Sequence, residues 1–89
     1  MKVIKYVLNW RNPTHRLILP KRAQILSVQV EVTTNCLCLW ALVNTRARKC
    51  SRVFAFYETG IELPPKPGRH VATTQVRPGY VVHIFEVTK

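Results

Sequence analysis

The stretch LSVQVEVTTNCLCLWALV, residues 26–43, decides the fold class of this chain. Its first part alternates apolar and polar side chains, which is the period-two pattern of a strand with one buried face. Thr33, Thr34 and Asn35 then predict a turn. Cys36–Val43 is apolar on both faces, which predicts a central strand covered on both sides. In the alternating strand, the side chains expected to face the core are Leu26, Val28, Val30 and Val32.

The remainder of the chain continues the β pattern outward from this stretch. Val, Ile and Thr make up 25 of the 89 residues, which favours strands over helices, and no segment holds a sustained helical stripe of apolar residues. Further strands are predicted at residues 4–10, 14–19, 51–57, 70–76 and 80–87. The last two should pair across Pro78 and Gly79, because Pro fixes φ and Gly supplies the positive φ of a type II turn.

Together these elements predict an all-β fold, a single small sandwich or partly open barrel of six to seven mainly antiparallel strands joined mainly by hairpins. A chain of 89 residues suits one domain, so residues 1–89 are expected to form a single β-rich domain around one core. Trp40 lies within the apolar run and is expected in that core. Trp10, at the end of a predicted strand, is the better candidate for exposure.

The charge of the chain is strongly unbalanced. Fourteen Lys and Arg residues stand against four Glu and no Asp, for a formal net charge of +10. So few carboxylates argue against a calcium site built from oxygen ligands and against a two-carboxylate hydrolytic mechanism. A basic surface instead favours polyanionic partners, either nucleic acid or an acidic protein, through counterion release and electrostatic steering.

The basic residues are concentrated in predicted loops and at strand ends. The densest group spans residues 46–52, and its first part is a loop without an apolar anchor, so its side chains should face solvent. An aromatic ring near such groups offers a surface on which a nucleic-acid base stacks. The residues expected to bind a partner or nucleic acid are Arg46, Arg48, Lys49, Arg52, Lys21, Arg22, Arg69, Arg77 and Trp10.

No pattern in the sequence indicates catalysis, a cofactor or a metal site, and we expect none of them. Cys36 and Cys38 on one extended strand would hold their thiols about 7 Å apart, too far for a shared tetrahedral zinc ion. Both are expected to be buried, which leaves Cys50 as the one thiol that a reagent reaches. His83 is expected to be packed and hydrogen-bonded instead of acting as a catalytic base.

The sequence does not predict membrane insertion. The longest apolar run has eight residues, against roughly 20 for a transmembrane helix. Lys5, Asn9 and Arg11 interrupt the N-terminal region before the apolar core of a signal peptide can form. Three cysteines are an odd and small number for a disulfide scaffold. We therefore expect a cytoplasmic protein with reduced thiols and without a membrane partner.

Two strings, CLWALVN at residues 38–44 and VHIFE at residues 82–86, resemble signature stretches of a family of small proteins found in tailed phages and prophages. Members of that family carry a domain of unknown function. The resemblance implies a phage protein of one compact β-domain that acts in the host cell, with no activity to transfer. Family members tend to be neutral or acidic, often with Asp where this chain has Asn44. The basic surface is therefore a feature of this chain and not of the family pattern.

These observations favour a small non-enzymatic phage interaction protein that binds a host macromolecule and inhibits or modulates it. The expected target is a defence complex, of the CRISPR type for example, or a nucleic-acid-processing complex. A first alternative is a β-module that binds nucleic acid directly through its basic surface. A second alternative is a minor structural component of the virion. The sequence leaves the oligomeric state open.

Overall fold

The computed structural model describes residues 1–87, which form seven β-strands. In this range there is no helix long and apolar enough to cross a bilayer. The observed strands differ from the predicted ones by two residues at most at either end, and the bounds of the fourth and seventh match the prediction. The strands are β1 (Lys2–Leu8), β2 (Thr14–Pro20), β3 (Gln24–Glu31), β4 (Cys36–Val43), β5 (Lys49–Glu58), β6 (Arg69–Arg77) and β7 (Tyr80–Val87).

The strands form two sheets, with the orders β1-β4-β3 and β2-β5-β7-β6, and every hydrogen-bonded pair is antiparallel. The sheets do not close into a barrel. They pack as a sandwich, with apolar side chains from both sheets between them. The all-β prediction is confirmed, in its sandwich form and with seven strands. The largest fully buried side chains are Phe54, Leu19, Leu37, Leu39, Ile84, Val43, Val82 and Cys38.

The connections between strands differ from the prediction. In the described part of the chain, only β3–β4 and β6–β7 are hairpins, because the other consecutive strands lie in different sheets or are not neighbours. The prediction that hairpins make most connections is therefore wrong. The β6–β7 hairpin itself is confirmed, with Gly79 at a φ of 82° as the predicted turn requires. Since β5 and β6 both run antiparallel to β7, they are parallel, and residues 59–68 return along the length of the sheet.

The second sheet packs against only one face of the central strand β4. Leu37, Leu39 and Ala41 are buried between the sheets, whereas Trp40 points to the outer face of the three-stranded sheet and is half-buried. Its neighbours on that face include Val3 and Val7, which are 55% and 54% exposed. The expectations that both faces of β4 are covered and that Trp40 belongs to the core are wrong, because the second sheet packs on the inner face alone.

The alternating strand β3 is interrupted by an irregularity that the pattern did not reveal. The register with β4 shifts between Ile25 and Ser27, and the extra residue Leu26 is 49% exposed. Val28 and Val30 face the core as expected. Val32 lies beyond the end of β3 and is 93% exposed. Two of the four predicted core positions in this strand are therefore wrong.

The three cysteines occupy different environments. Cys38 is buried, and this burial raises the pKa of its thiol above the usual value. Cys36 and Cys50 are only half-buried. The expected burial is confirmed for Cys38 and wrong for Cys36, because Cys36 lies at the start of β4, next to the exposed residues 32–35.

Candidate partner-binding surface

Two loops of the candidate surface meet at one end of the sandwich. Residues 21–23 connect β2 to β3, and residues 44–48 connect β4 to β5. They are adjacent because Pro20 at the end of β2 pairs with Lys49 at the start of β5. A backbone hydrogen bond joins them, in which the Lys21 N–H donates to the Arg48 carbonyl at 2.7 Å. The sandwich topology thus brings together two basic segments that are separated in the sequence.

Short polar interactions fix the shape of each loop. The side-chain oxygen of Asn44 accepts a hydrogen bond from the N–H of Arg46 at 3.1 Å, and the backbone carbonyl of Asn44 accepts one from the N–H of Ala47 at 3.0 Å. Asn favours a turn of this kind when it is the first residue. In the other loop, the Ala23 N–H donates to the Pro20 carbonyl at 3.2 Å. Arg22 closes this turn with a φ of 66°, a left-handed conformation that is uncommon for Arg.

We call this end of the molecule the basic end. It consists of six exposed cations, namely Lys2, Lys21, Arg22, Arg46, Arg48 and Lys49. Lys2 joins the group because it pairs with Val43, the last residue of β4. A shallow cleft of about 380 Å³ lies among them, lined by Met1, Lys21, Arg22, Asn44, Ala47 and Arg48. Among the described residues, no member of the basic end forms a salt bridge.

The carboxylate of Glu86, on the part of β7 that adjoins this end, is already neutralised. Its two oxygens accept hydrogen bonds from Nε and Nη2 of Arg52 at 2.6 and 2.7 Å, and Arg69 adds a third at 2.9 Å. The hydrogen bonds from Arg52, the stronger influence, hold the pKa of Glu86 below its usual value. Arg52 also donates to the carbonyl of Ala23 at 2.6 Å, so its guanidinium links the two sheets. The potential of the basic end is therefore not offset by a free carboxylate on β7.

Arg52 and Arg69, which the sequence suggested as binding residues, both contact Glu86. The Arg52 side chain is 17% exposed and its donors are used within the protein, so it is a structural residue and we leave it out of the basic end. The Arg69 side chain is 66% exposed and gives one contact to Glu86, which leaves part of its guanidinium facing solvent.

The opposite end of the sandwich holds Trp10 and Arg77. Trp10 follows β1 in a loop whose turn is fixed by Asn9, since the Asn9 side chain accepts the Arg11 N–H at 3.2 Å and its carbonyl accepts the Asn12 N–H at 3.3 Å. The Arg77 guanidinium carbon lies 4.2 Å from the ring centre of Tyr80 and 5.9 Å from that of Trp10. Arg11 stacks on Trp10 as well, at 5.5 Å. Trp10 is half-buried against the core, so only part of its ring is exposed.

These groups border a cleft of about 600 Å³, which we call the aromatic cleft. Its lining residues are Trp10, Arg11, Asn12, Pro13, Thr14, Phe56, Tyr57, Glu58, Ile61, Arg77 and Val82. Sequence reasoning named Trp10 and Arg77 but missed Arg11 and Glu58. The two-residue turn at Pro78 and Gly79 places Arg77 opposite Tyr80, on which it stacks. The approach of the β1–β2 loop to this hairpin had no local signal.

A polar chain crosses the outer face of the four-stranded sheet. The Thr73 hydroxyl lies 2.8 Å from His70 Nε2 and 3.0 Å from His83 Nδ1, and Thr59 meets His83 Nε2 at 2.8 Å. His83 is therefore half-buried and hydrogen-bonded at both ring nitrogens, as expected from the sequence. The described residues contain no group of three or more His, Cys, Asp or Glu side chains arranged to hold a metal ion.

The fold and these surfaces define a small two-sheet β-sandwich protein with a cationic loop surface at one end and an aromatic cleft at the other. The chain belongs to the family described as Domain of unknown function (DUF7352), whose model matches residues 1–89. No curated protein and no solved structure matches the chain. The family description assigns no activity.

Proposed function

We propose that the protein is a non-enzymatic phage interaction protein that uses its basic end to bind a host macromolecule and block it. The observation that carries the proposal is the group of six exposed cations, four on two hydrogen-bonded loops and Lys2 and Lys49 at the adjoining strand starts, next to a carboxylate that Arg52 and Arg69 neutralise. A surface of this kind attracts a polyanion, and a defence or nucleic-acid-processing complex of the host offers one.

Local geometry supports a binding role for the two loops. Arg22 adopts a left-handed backbone conformation, and strain of this kind is concentrated at functional sites. The Asn44 turn and the hydrogen bond between Lys21 and Arg48 fix the backbones that carry the cations. A preformed cationic surface loses less conformational entropy on binding than a flexible one does.

The proposal is tested by affinity capture from phage-infected bacteria with two charge-matched variants. Arg46→Ala/Arg48→Ala removes two cations of the basic end, and Arg16→Ala/Lys66→Ala removes two exposed cations elsewhere, so each variant has a net charge of +8, that is 10 − 2. We expect the first variant to lose the captured partner and the second to retain it. Equal recovery by both variants would place the binding surface away from the basic end.

Direct binding to nucleic acid is the second candidate function, and the free cations of the basic end favour it in the same way. Binding of purified protein to duplex DNA and to single-stranded DNA at several salt concentrations separates the two candidates. A partner that survives nuclease treatment of the lysate, together with only weak DNA binding in solution, supports a protein target. Loss of the partner on nuclease treatment supports the second candidate.

A further inference from the structure

The aromatic cleft combines three kinds of group that together recognise a particular class of ligand. Its floor is apolar and aromatic, with Trp10, Phe56 and Val82 among the lining residues. Arg11 and Arg77 stand at its rim, each positioned by stacking on an aromatic ring. Glu58 is exposed at the same rim and forms no salt bridge within residues 1–87. The volume of about 600 Å³ falls within the range of small-ligand sites.

We propose that the aromatic cleft binds a nucleotide unit, with the base in the apolar part of the cleft and the phosphate at Arg11 and Arg77. Bases stack on aromatic rings and on guanidinium planes, and Trp10 and Arg77 present both kinds of surface. Planar guanidinium groups suit phosphate oxygens, and stacking on Trp10 and Tyr80 restricts Arg77 before the ligand arrives. This proposal does not depend on the basic end, which lies at the opposite end of the strands.

The carboxylate at the rim favours a nucleotide over an acidic peptide. Two arginines beside an apolar cleft would also suit an aromatic side chain followed by acidic residues. Glu58 repels acidic residues and phosphate alike, but it accepts hydrogen bonds from the amino and imino groups of a base, which an acidic side chain does not donate. A nucleotide therefore accounts for the ring surfaces, the two arginines and Glu58 together. An acidic peptide accounts for the ring surfaces and the two arginines but not for Glu58.

The test follows the fluorescence of Trp10 in a Trp40→Phe background, so that one indole reports on the cleft. The probes are AMP, GMP, CMP and UMP, a short single-stranded oligonucleotide, inorganic phosphate, and a peptide in which one Phe is followed by glutamates. We expect at least one nucleotide probe to quench Trp10 with saturation. Quenching by free nucleotides identifies a mononucleotide site, and quenching by the oligonucleotide alone identifies a unit within a strand.

Variants with equal net charge make the test specific. Arg77→Ala should weaken association with the active probe by about tenfold or more, because a charge-assisted contact to phosphate is lost. Arg11→Ala/Arg77→Ala should abolish quenching, while Arg16→Ala/Lys66→Ala, which has the same net charge and lies in neither surface, should leave it unchanged. Partner capture by Arg11→Ala/Arg77→Ala, measured beside its quenching, separates failure of this site from failure of the proposed function.

Three results would overturn the assignment. The first is quenching by inorganic phosphate as strong as that by any nucleotide, which would make the cleft a simple anion site. The second is saturable binding of the acidic peptide without binding of the nucleotide probes. The third is nucleotide binding that is unaffected by Arg11→Ala/Arg77→Ala, which would place the nucleotide elsewhere on the protein.

Discussion

At the scale of single residues, Gly68 shows how closely the connection between β5 and β6 approaches the sheet. We call this connection, residues 59–68, the crossover. The φ of Gly68 is 99°, and a Cβ atom built on it would collide with the backbone carbonyl of Glu86. Gly60, in the same connection, has a similar φ of 90° but open space around it. The two positions therefore share the backbone requirement for glycine and differ in the steric one.

We expect Gly68→Ala to destabilise the protein by roughly 3 kcal/mol, because backbone strain and displacement of β7 are added together. Gly60→Ala should reduce the unfolding free energy only through backbone strain, by about 1 kcal/mol. Chemical denaturation of both variants measures the difference. Equal losses of unfolding free energy would mean that the crossover does not pack against Glu86 as the structure describes.

The thiols give a second prediction at this scale. Cys36 and Cys50 are half-buried, whereas Cys38 is buried and its pKa is raised by that burial. A thiol reagent should therefore modify Cys36 and Cys50 in the native protein and reach Cys38 only after unfolding. Mass spectrometry of the labelled peptides assigns the sites. Rapid native labelling of Cys38 would contradict the packing of β4.

At the scale of elements, Arg52 and Glu86 connect several strands through one guanidinium. Arg52 on β5 binds the carboxylate of Glu86 on β7 through two nitrogens and the carbonyl of Ala23, just before β3, through the third. Arg69 on β6 completes the group. A planar guanidinium can make these contacts at once, whereas the ammonium group of Lys cannot reproduce the paired geometry.

This ion pair makes stability depend on pH in a defined direction. The hydrogen bonds from Arg52 lower the pKa of Glu86 in the folded state. The ionised carboxylate therefore stabilises the folded protein at a pH above the unfolded pKa, near 4.5, and this stabilisation is lost as the pH falls through the folded pKa. We expect Glu86→Gln to reduce the unfolding free energy by about 2 kcal/mol at neutral pH, less than for a fully buried pair. The reduction should shrink in acid.

Glu31→Gln is the matched control for that experiment. Glu31 also has a lowered pKa, chiefly from its hydrogen bond with Lys5, but this pair lies on an exposed surface where solvent screens it. Its substitution should leave stability nearly unchanged across the pH range. Thermal denaturation of the wild type and both variants between acid and neutral pH measures the effect. A loss for Glu86→Gln that is independent of pH would contradict a role for its charge.

The elements themselves follow from local sequence, but their partners do not. Alternation and turn residues predicted every strand to within two residues, and the Pro78-Gly79 turn predicted the last pairing. The period-two pattern does not indicate which sheet a strand joins. The sequence therefore did not predict that β1 and β2 lie in different sheets. The sequence of β4 is apolar on both faces, and this pattern does not distinguish a strand covered on one side from a strand covered on both. Trp40 was therefore wrongly expected in the core.

The candidate site was predictable to a similar degree. Lys21, Arg22, Arg46, Arg48 and Lys49 were identified by their charge and loop positions, and the structure places them at one end. Arg52 lies only three residues beyond Lys49, yet its side chain turns inward to Glu86. A contact between residues 34 positions apart leaves no trace in local composition. The aromatic cleft depends in the same way on two loops that meet only after folding.

At the scale of the whole molecule, the two ends act as separate surfaces. The ends are separated by strands of seven to ten residues, roughly 20–30 Å in length, whereas charges in physiological salt are screened over about 8 Å. The cations of the basic end are therefore under little electrostatic influence from Arg11 and Arg77 at the other end. Net charge alone does not describe such a molecule, and variants should be compared at equal charge.

The exposed loops that carry the cations should contribute little to stability. Arg46 and Arg48 form no salt bridge in the described chain, and each lies among other cations. We expect Arg46→Ala/Arg48→Ala to change the unfolding free energy by no more than about 0.5 kcal/mol. Chemical denaturation checks this before any binding is measured. A large loss would mean that these arginines hold the two loops together.

The proposed function rests on the claim that the basic end binds the partner through its cations. The most direct test is the salt dependence of binding between the purified partner and the two variants of net charge +8. Arg46→Ala/Arg48→Ala should weaken binding and, for a duplex-DNA partner, reduce the log–log salt slope by up to about 1.8. Arg16→Ala/Lys66→Ala should retain the affinity and slope of the wild type. Identical affinities and slopes for the two variants would contradict the claim.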